Sequence, residues 1–405
     1  MFDSCSAYQT SPRILFLSHC VPYPPDKGER IRAYHALIRL AEIGEVHLAC
    51  IARSPEEEDA AASLRDICAS VHVERIEPRW ALLQAAVHFA SGGCLTRAYY
   101  GGTTLGRHIA ALGPLDVTVA YSSAMAQYAP ETVPMVLDMV DVDSEKWAQY
   151  AAMRRPAFAY AAEARRLRRL EAAYAGGASS VVFTTRHEAD VFAGFASHSR
   201  ALAMENGVDF DYFNPEAVPA NAAMRYPRLV FVGGMDYYPN ADAACRFARE
   251  IFPVLRRQCE GLEFVIVGRN PTAAVRALAK LPGVVVTGAV NDVRPYLAEA
   301  LAVVAPLRVA RGMQNKVLEG LAMGKRVLAS RPVMDTFGAA PAGLVECSSA
   351  ADYAAGMREA SGAWPCDTTI REAARARFTW GRNLDLLTEE VAYAVAGRIR
   401  GKAIA

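Results

Sequence analysis

The sequence predicts an α/β protein of two Rossmann-like domains, each a doubly wound parallel sheet wrapped by helices. Three observations predict it. The chain has 405 residues, too many for one ordinary core and suited to two domains of roughly 150–200 residues each. Short apolar runs alternate with helical stretches throughout, the rhythm of parallel sheets. That rhythm also restarts near residue 228, and each series opens with a strand and a glycine-bearing turn.

In the first series the expected strands are 13–18, 45–51, 71–75, 116–120, 135–137 and 180–183, with a helix over about 29–43 between the first two. The second series offers 228–234, 263–268, 284–288, 301–305 and 326–329. Residues 215–227 are rich in Pro, Asn and Ala and read as the linker. The expected division is therefore 1–214, the linker 215–227, a second domain 228–380, and a final helix over 381–405. Doubly wound sheets take ligands at the carboxyl ends of their strands. Two such halves facing one another would leave a cleft suited to a small molecule.

Composition excludes several classes. With 52% hydrophobic and 21% charged residues the chain is that of a folded globular protein. A net charge of +1 gives no global field for nucleic acid. The nine cysteines are scattered, odd in number and without a CxxC pair. They fit reduced thiols better than a disulfide framework or a zinc site, and no metal ligand set is expected. The first twelve residues are polar and include Asp3, so no cleaved signal peptide is expected. No run approaches the roughly 18 apolar residues of a membrane span. A cytoplasmic location is expected, with a peripheral place on the inner face of the plasma membrane as the alternative.

After the first strand, Pro22, Pro24 and Pro25 hold the loop extended, and Gly28 falls where a helix begins. A glycine there lets a ligand reach free amides whose dipole favours phosphate, with Lys27, Arg30 and Arg32 adding charge. Gly28 is thus a diphosphate-binding candidate; a rigid loop whose glycine only satisfies a backbone angle is the other reading. The absence of G-x-G-x-x-G counts against a dinucleotide oxidoreductase.

Several segments together resemble the retaining glycosyltransferases of family 4. Met204-Glu205-Asn206-Gly207-Val208-Asp209-Phe210-Asp211-Tyr212-Phe213-Asn214-Pro215 is similar to its NGVDxxxFxP signature, and Thr287-Gly288-Ala289-Val290-Asn291-Asp292-Val293-Arg294-Pro295-Tyr296 to its TGxVxDVRPY segment. Asn315-Lys316-Val317-Leu318-Glu319-Gly320-Leu321-Ala322-Met323-Gly324 is similar to its NKxLEAMAxG donor helix. The opening Pro22-Tyr23-Pro24-Pro25-Asp26-Lys27-Gly28 resembles a subgroup associated with exosortase and exopolysaccharide clusters. The resemblance runs from about residue 13 to about 395. It implies a GT-B fold, a nucleotide-diphosphate sugar as donor, a saccharide acceptor of the lipid-linked kind, and no obligatory metal or other cofactor. It also implies that the last helix crosses back onto the first domain. A nucleotide-sugar epimerase or hydrolase, or a non-catalytic sugar-nucleotide-binding protein, are the rival readings on the same architecture.

The donor site is expected around residues 308–325. Arg308, Arg311 and Lys316 would supply charge-assisted donors to a diphosphate, and Gly312 would allow close backbone approach. Glu319, one helical turn beyond Asn315 and Lys316, matches the family's ribose-binding glutamate, a carboxylate suited to paired hydroxyl donors. The sequence departs from the family twice. Its usual second glutamate, seven residues before Glu319, is here Arg311, and the usual lysine after the second-domain glycine turn is missing from Gly233 to Asn240. Arg308, Arg311 and Lys316 are expected to take over that lysine's role. Base recognition is expected at the backbone near Arg269 and Val290, with Asp292 capping the helix that follows.

In the first half, Asp138, Asp141 and Asp143 alternate and would share one face of an extended chain. Asp141 stands about where relatives place a histidine and is the candidate catalytic residue, orienting the acceptor hydroxyl or accepting its proton. Helix capping by Asp143 or Ser144, with the other acids solvated, is the plainer reading. His19 reads as a packing residue. Two stretches bear on membranes: residues 79–90, apolar with a basic and aromatic start, and residues 154–169, with six arginines. Both fit either helices lying on an anionic surface or ordinary helices covering the first domain.

Overall fold

The computed structural model describes residues 11–101, 104–218, 227–362 and 365–404. It divides into two compact units, one of residues 1–205 with 384–405 and one of residues 206–383. The linker expected at 215–227 lies mostly outside the described residues; its start, Pro215–Ala217, is a single 3-10 turn.

The first unit holds a seven-stranded, wholly parallel sheet. Its strands are β1 (Arg13–Ser18), β2 (Glu45–Ala52), β3 (Ser70–Arg75), β4 (Val117–Tyr121), β5 (Met135–Val140), β6 (Ser180–Phe183) and β7 (Ala201–Ala203), in the order β3-β2-β1-β4-β5-β6-β7. β1 is clothed on both faces, so Ile14, Leu15, Phe16 and Leu17 are fully buried and read as one apolar run rather than an alternation. The order reverses between β1 and β4, the switch point beyond which ligands bind in such sheets. Helix Gly28–Ala41 follows β1 and turns Ala33, Ala36, Leu37 and Leu40 inward.

The second unit repeats the scheme with six parallel strands: β8 (Arg228–Val232), β9 (Glu263–Val267), β10 (Val284–Gly288), β11 (Ala302–Ala305), β12 (Val327–Ala329) and β13 (Leu344–Glu346). Their order is β10-β9-β8-β11-β12-β13, with the switch between β8 and β11. Leu229, Phe231, Phe264, Ile266 and Val303 form the centre of its core, fully buried.

The units part ahead of the expected linker, and the reason is local. Gly207 lies against Trp380 so closely that a Cβ there would run into the Trp380 backbone and ring. Val208 N–H donates to Phe378 O at 2.8 Å, and the Asn383 side chain donates to Asn206 O at 3.1 Å. The last helix, Trp380–Ile404, gives its residues from Leu384 onward to the first unit. There Glu390 accepts from Arg200 Nε at 2.9 Å, and Asp385 pairs with Arg39 at 2.5 Å.

Candidate functional site

At the carboxyl rim of the second sheet, three adjoining strands end in glycines: Gly233 after β8, Gly268 after β9 and Gly288 at the end of β10. The chains come so close that a Cβ on Gly268, whose φ is +157°, would overlap the Gly233 carbonyl oxygen. Gly268 N–H donates to Gly288 O at 3.1 Å, and Gly233 N–H to Val267 O at 3.0 Å. A Cβ on Gly233 would stand 2.7 Å from the Asn240 amide nitrogen. Glycine is therefore required at this rim for packing as well as for backbone freedom.

The space so left is filled by Asn240, a buried residue near the start of helix Tyr238–Arg246. Its Nδ2 donates to Gly234 O at 3.0 Å, and its Oδ1 accepts from Lys316 Nζ at 3.1 Å. Lys316, in the first turn of helix Asn315–Ala322, also reaches Gln314 Oε1 at 3.4 Å and lies over the Phe231 ring at 5.6 Å. Glu319 follows one turn later. Burial pushes the Lys316 ammonium down to about 8 against the opposing pull of Glu319. Burial likewise pushes the Glu319 carboxyl up to about 7 against Lys316. A cation and a carboxylate thus share one helix face in poorly solvated surroundings, each easily neutralised. Asn206 Nδ2 donates to Asn315 Oδ1 at 3.2 Å, which ties the Asn206-Gly207 segment to the start of the same helix. Just before that helix Gly312 sits at φ +59°, a left-handed turn suited to glycine.

Arg308 is engaged elsewhere. Its guanidinium forks the Asp242 carboxylate, Nε to Oδ2 at 2.8 Å and Nη2 to Oδ1 at 2.5 Å, in a half-exposed pair. Asn240 and Asp242 are two residues apart on one helix and do not share a face, so Lys316 and Arg308 are tied to different sides of it. The Arg311 carbonyl accepts from Gln314 Nε2 at 3.0 Å. Arg269 and Val290 do come at the ends of β9 and β10. The Arg269 carbonyl accepts from Met235 N–H at 2.9 Å, and Val290 packs against the core. Asn270, at φ +53°, donates to Asp236 at 3.0 Å. Asp292 accepts from Arg294 N–H at 2.9 Å, at the first residue of helix Arg294–Glu299.

The first unit places Gly28, exposed, at the opening residue of its helix. Arg30 turns inward to Asp26 at 3.1 Å and to Glu57. Arg32, fully buried, grips Asp138 in a fork, Nε to Oδ2 at 2.9 Å and Nη2 to Oδ1 at 3.2 Å, and donates to Met204 O at 2.9 Å. Asp138 also accepts from Val140 N–H at 3.1 Å. Val140 has φ +66°, costly for a β-branched residue and held by those bonds. The expected alternation of Asp138, Asp141 and Asp143 on one face therefore fails. Asp138 is sealed under Arg32, the strand ends at Val140, and Asp143 begins a helix.

Asp141 emerges from this kink. Its Oδ1 accepts from Thr184 Oγ1 at 2.9 Å, and its N–H donates to Met139 O at 2.8 Å. Burial, then the nearby Glu188 and Asp143, holds its carboxyl well above the usual carboxylate range. Helix Asp143–Met153 is capped by neither Asp143 nor Ser144. Two buried glutamates serve instead: Glu188 accepts from Val142 N–H at 2.8 Å and Glu171 from Ser144 N–H at 3.0 Å.

Sequence reasoning missed a second group on this rim. The His19 ring stacks on Tyr121 at 5.3 Å and 18°, with Nε2 3.5 Å from Glu29. Arg53 reaches Glu29 at 3.2 Å and the Tyr100 hydroxyl at 3.0 Å. Burial alone would raise the Glu29 carboxyl, but His19 and Arg53 outweigh it and hold it well below its ordinary value. His19 is thus part of a polar cluster beyond β1, and its place at the end of the first strand was the available signal. Asn240 was missed as well; a polar residue just past the Gly233-Gly234 turn was the clue. Among the described residues no three His, Cys, Asp or Glu gather as a metal site.

Residues 226–360 match the family model described as glycosyl transferases group 1. A search of the curated proteins finds no sequence relative. Among solved structures the chain is similar to HepE of Anabaena in complex with UDP and glucose, with a TM-score of 0.65 and 12% identity over 94% of this chain and 99% of that one. It is similar to a glycosyltransferase of Rickettsia africae, with a TM-score of 0.63 and 11% identity over 96% and 99%. It also matches WaaG, a glycosyltransferase of lipopolysaccharide biosynthesis, with a TM-score of 0.56 and 14% identity over 90% and 94%. The fold is that of the GT-B glycosyltransferases, two parallel-sheet α/β domains.

Proposed function

We propose that this chain is a retaining glycosyltransferase of family 4 type, related to the exosortase-associated transferases. It moves a hexose from a nucleotide-diphosphate sugar to a lipid-linked saccharide in exopolysaccharide assembly, at the cytoplasmic face of a membrane. The observation that carries the reading is the Asn240–Lys316–Glu319 grouping at the glycine rim, within the stretch that matches the group 1 family model. In this reading Lys316, with Arg311 and the backbone at Gly312, steadies the diphosphate, and Glu319 accepts from the ribose hydroxyls. The bond from the anomeric carbon to the phosphate oxygen breaks and its electron pair leaves with the nucleoside diphosphate. The acceptor hydroxyl forms the new bond to that carbon and gives its proton to Asp141. Charge on the leaving group is met by protein cations, so the reading calls for no metal.

A thermal-shift screen with UDP, GDP, ADP and CMP sugars tests the donor assignment. One nucleotide raises the melting temperature, because a ligand at about a hundred times its Kd stabilises by roughly 2.7 kcal/mol. No shift with any of them sinks the reading. Asp141→Asn tests the acceptor side. An amide cannot take the proton, so turnover falls about tenfold or more. Wild-type turnover rises with pH through the range in which Asp141 ionises, and the variant loses that limb. Full turnover in Asp141→Asn removes the assignment.

A further inference from the structure

Helix Pro78–Ala90 is inside out. Of its thirteen residues only Ala81 and Ala85, one turn apart, are buried. The large apolar side chains face outward: Trp80 and Val87 are each 65% exposed, with Leu82 and Leu83 little less so. Packing against a core does not account for a helix that turns two alanines inward and Trp80, Leu83 and Val87, spaced i, i+3 and i+7, outward.

The charged residues that follow in the chain, as far as residue 115, are all basic. Residues 78–115 contain no Asp or Glu, and Arg79, Arg97 and Arg107 in that stretch are exposed. Glu77, just before it, is occupied as the helix cap, accepting from Trp80 N–H at 2.9 Å. The helix ends on its neighbour Ala157–Gly176, where Arg166 donates to Phe89 O and Gly93 O, each at 2.7 Å, and stacks over the Phe89 ring at 4.4 Å. Exposed Arg154 and Arg155 precede that neighbour, exposed Phe158 lies in its first turn, and residues 147–162 are again free of acids.

We infer that this face of the first unit, with Trp80, Leu83 and Val87 exposed on a helix whose own stretch of chain carries only basic charge, seats on an anionic phospholipid surface. The inference deepens the lipid-linked acceptor reading, on which its purpose rests, by naming the surface that keeps the protein beside such an acceptor. Tryptophan and leucine enter the headgroup boundary while arginines meet lipid phosphates. A protein partner would match the apolar stripe equally well, but the run without acids selects an anionic one, and a bilayer supplies both features.

Co-sedimentation of the full chain with phosphatidylglycerol-containing vesicles tests it, with phosphatidylcholine vesicles in parallel. Binding is expected to the first, weakening with salt, and to be at least tenfold weaker to the second. The variant Trp80→Ala/Leu83→Ala/Val87→Ala leaves the buried alanines in place and is checked for fold by circular dichroism. It loses vesicle binding at least tenfold while keeping its nucleotide-induced thermal shift. Arg79→Glu/Arg155→Glu weakens binding to anionic vesicles alone. Absence of binding at low salt overturns the inference, as does triple-variant binding equal to wild type. So does a wild-type dimer that the triple substitution converts to monomer without any vesicle binding, since a second copy then covers the face. Vesicle binding with no thermal shift by any nucleotide would fell the donor reading and leave this surface standing.

Discussion

On the proposed donor assignment, Lys316→Ala lowers affinity for a nucleoside diphosphate by about 10- to 100-fold, as measured by calorimetry. The lysine is preset by Asn240 at 3.1 Å, and a charge-assisted bond to a phosphate is worth about 1.5–3 kcal/mol. The pH dependence gives a sharper signature. In the folded protein Lys316 is held down to about 8, so it is charged only below that pH, and affinity falls as pH rises through 8. Lys316→Arg, whose guanidinium does not titrate there, carries binding to higher pH. On the acid side Glu319, at about 7, ionises as pH rises through neutrality, so donor affinity peaks between about 7 and 8.

The same shifts set the stability of the unliganded chain, with the opposite sign. An acid raised from 4.5 destabilises the fold progressively as pH climbs from 4.5 to 7. A lysine lowered from 10.5 destabilises it below about 8 and relents as pH climbs from 8 to 10.5. The unliganded protein is therefore least favoured by this pair where the ligand binds best, and Lys316→Met raises its melting temperature near pH 7.5 while abolishing the affinity peak. Arg308→Ala, which removes only a half-exposed pair with Asp242, changes stability by less than about 1 kcal/mol. If Lys316→Ala and Arg311→Ala both bind the donor as well as wild type, the donor assignment is withdrawn.

Arg32→Ala destabilises the first unit by about 3–5 kcal/mol, because it leaves the Asp138 carboxylate buried and uncompensated. The two side chains are 1% and 2% exposed, so water cannot replace the lost partner. Arg32 also holds Met204 O at 2.9 Å, so the loss reaches from the first helix to the end of the unit. Chemical denaturation measures the size. The double substitution Arg32→Met/Asp138→Leu recovers much of the stability, since an apolar pair of similar volume leaves no buried charge. It does not recover turnover, because Asp138 no longer accepts the Val140 amide that fixes the turn into Asp141. A fall of less than 1 kcal/mol in the single variant contradicts this account.

The parallel sheets were legible because strands covered on both faces read as unbroken apolar runs, as in Ile14 to Leu17 and Leu229 to Val232. β7 and β13 were not, being three-residue edge strands, Ala-Leu-Ala and Leu-Val-Glu, too short to show a pattern. Lys316 and Glu319 could be read as one helix face because their relation is local. The left-handed Val140 was hidden, since a valine gives no local hint of a turn, and the Asp138 carboxylate that accepts its N–H is itself held by Arg32, 106 positions away. His19 and Asn240 gain their meaning from Glu29, Arg53 and Lys316, partners that only the folded chain supplies.

The interlocked glycines beyond β8 and β9 also limit what evolution or a protein engineer can alter there. Because a methyl group at 268 would collide with a neighbouring main chain, that part of the wall can be reshaped only by sliding peptide against peptide, which the sheet behind forbids. On the proposed donor assignment, a change of nucleotide preference is therefore expected from substitutions in the flanking loops, at 269–270 and 289–290, rather than at Gly268.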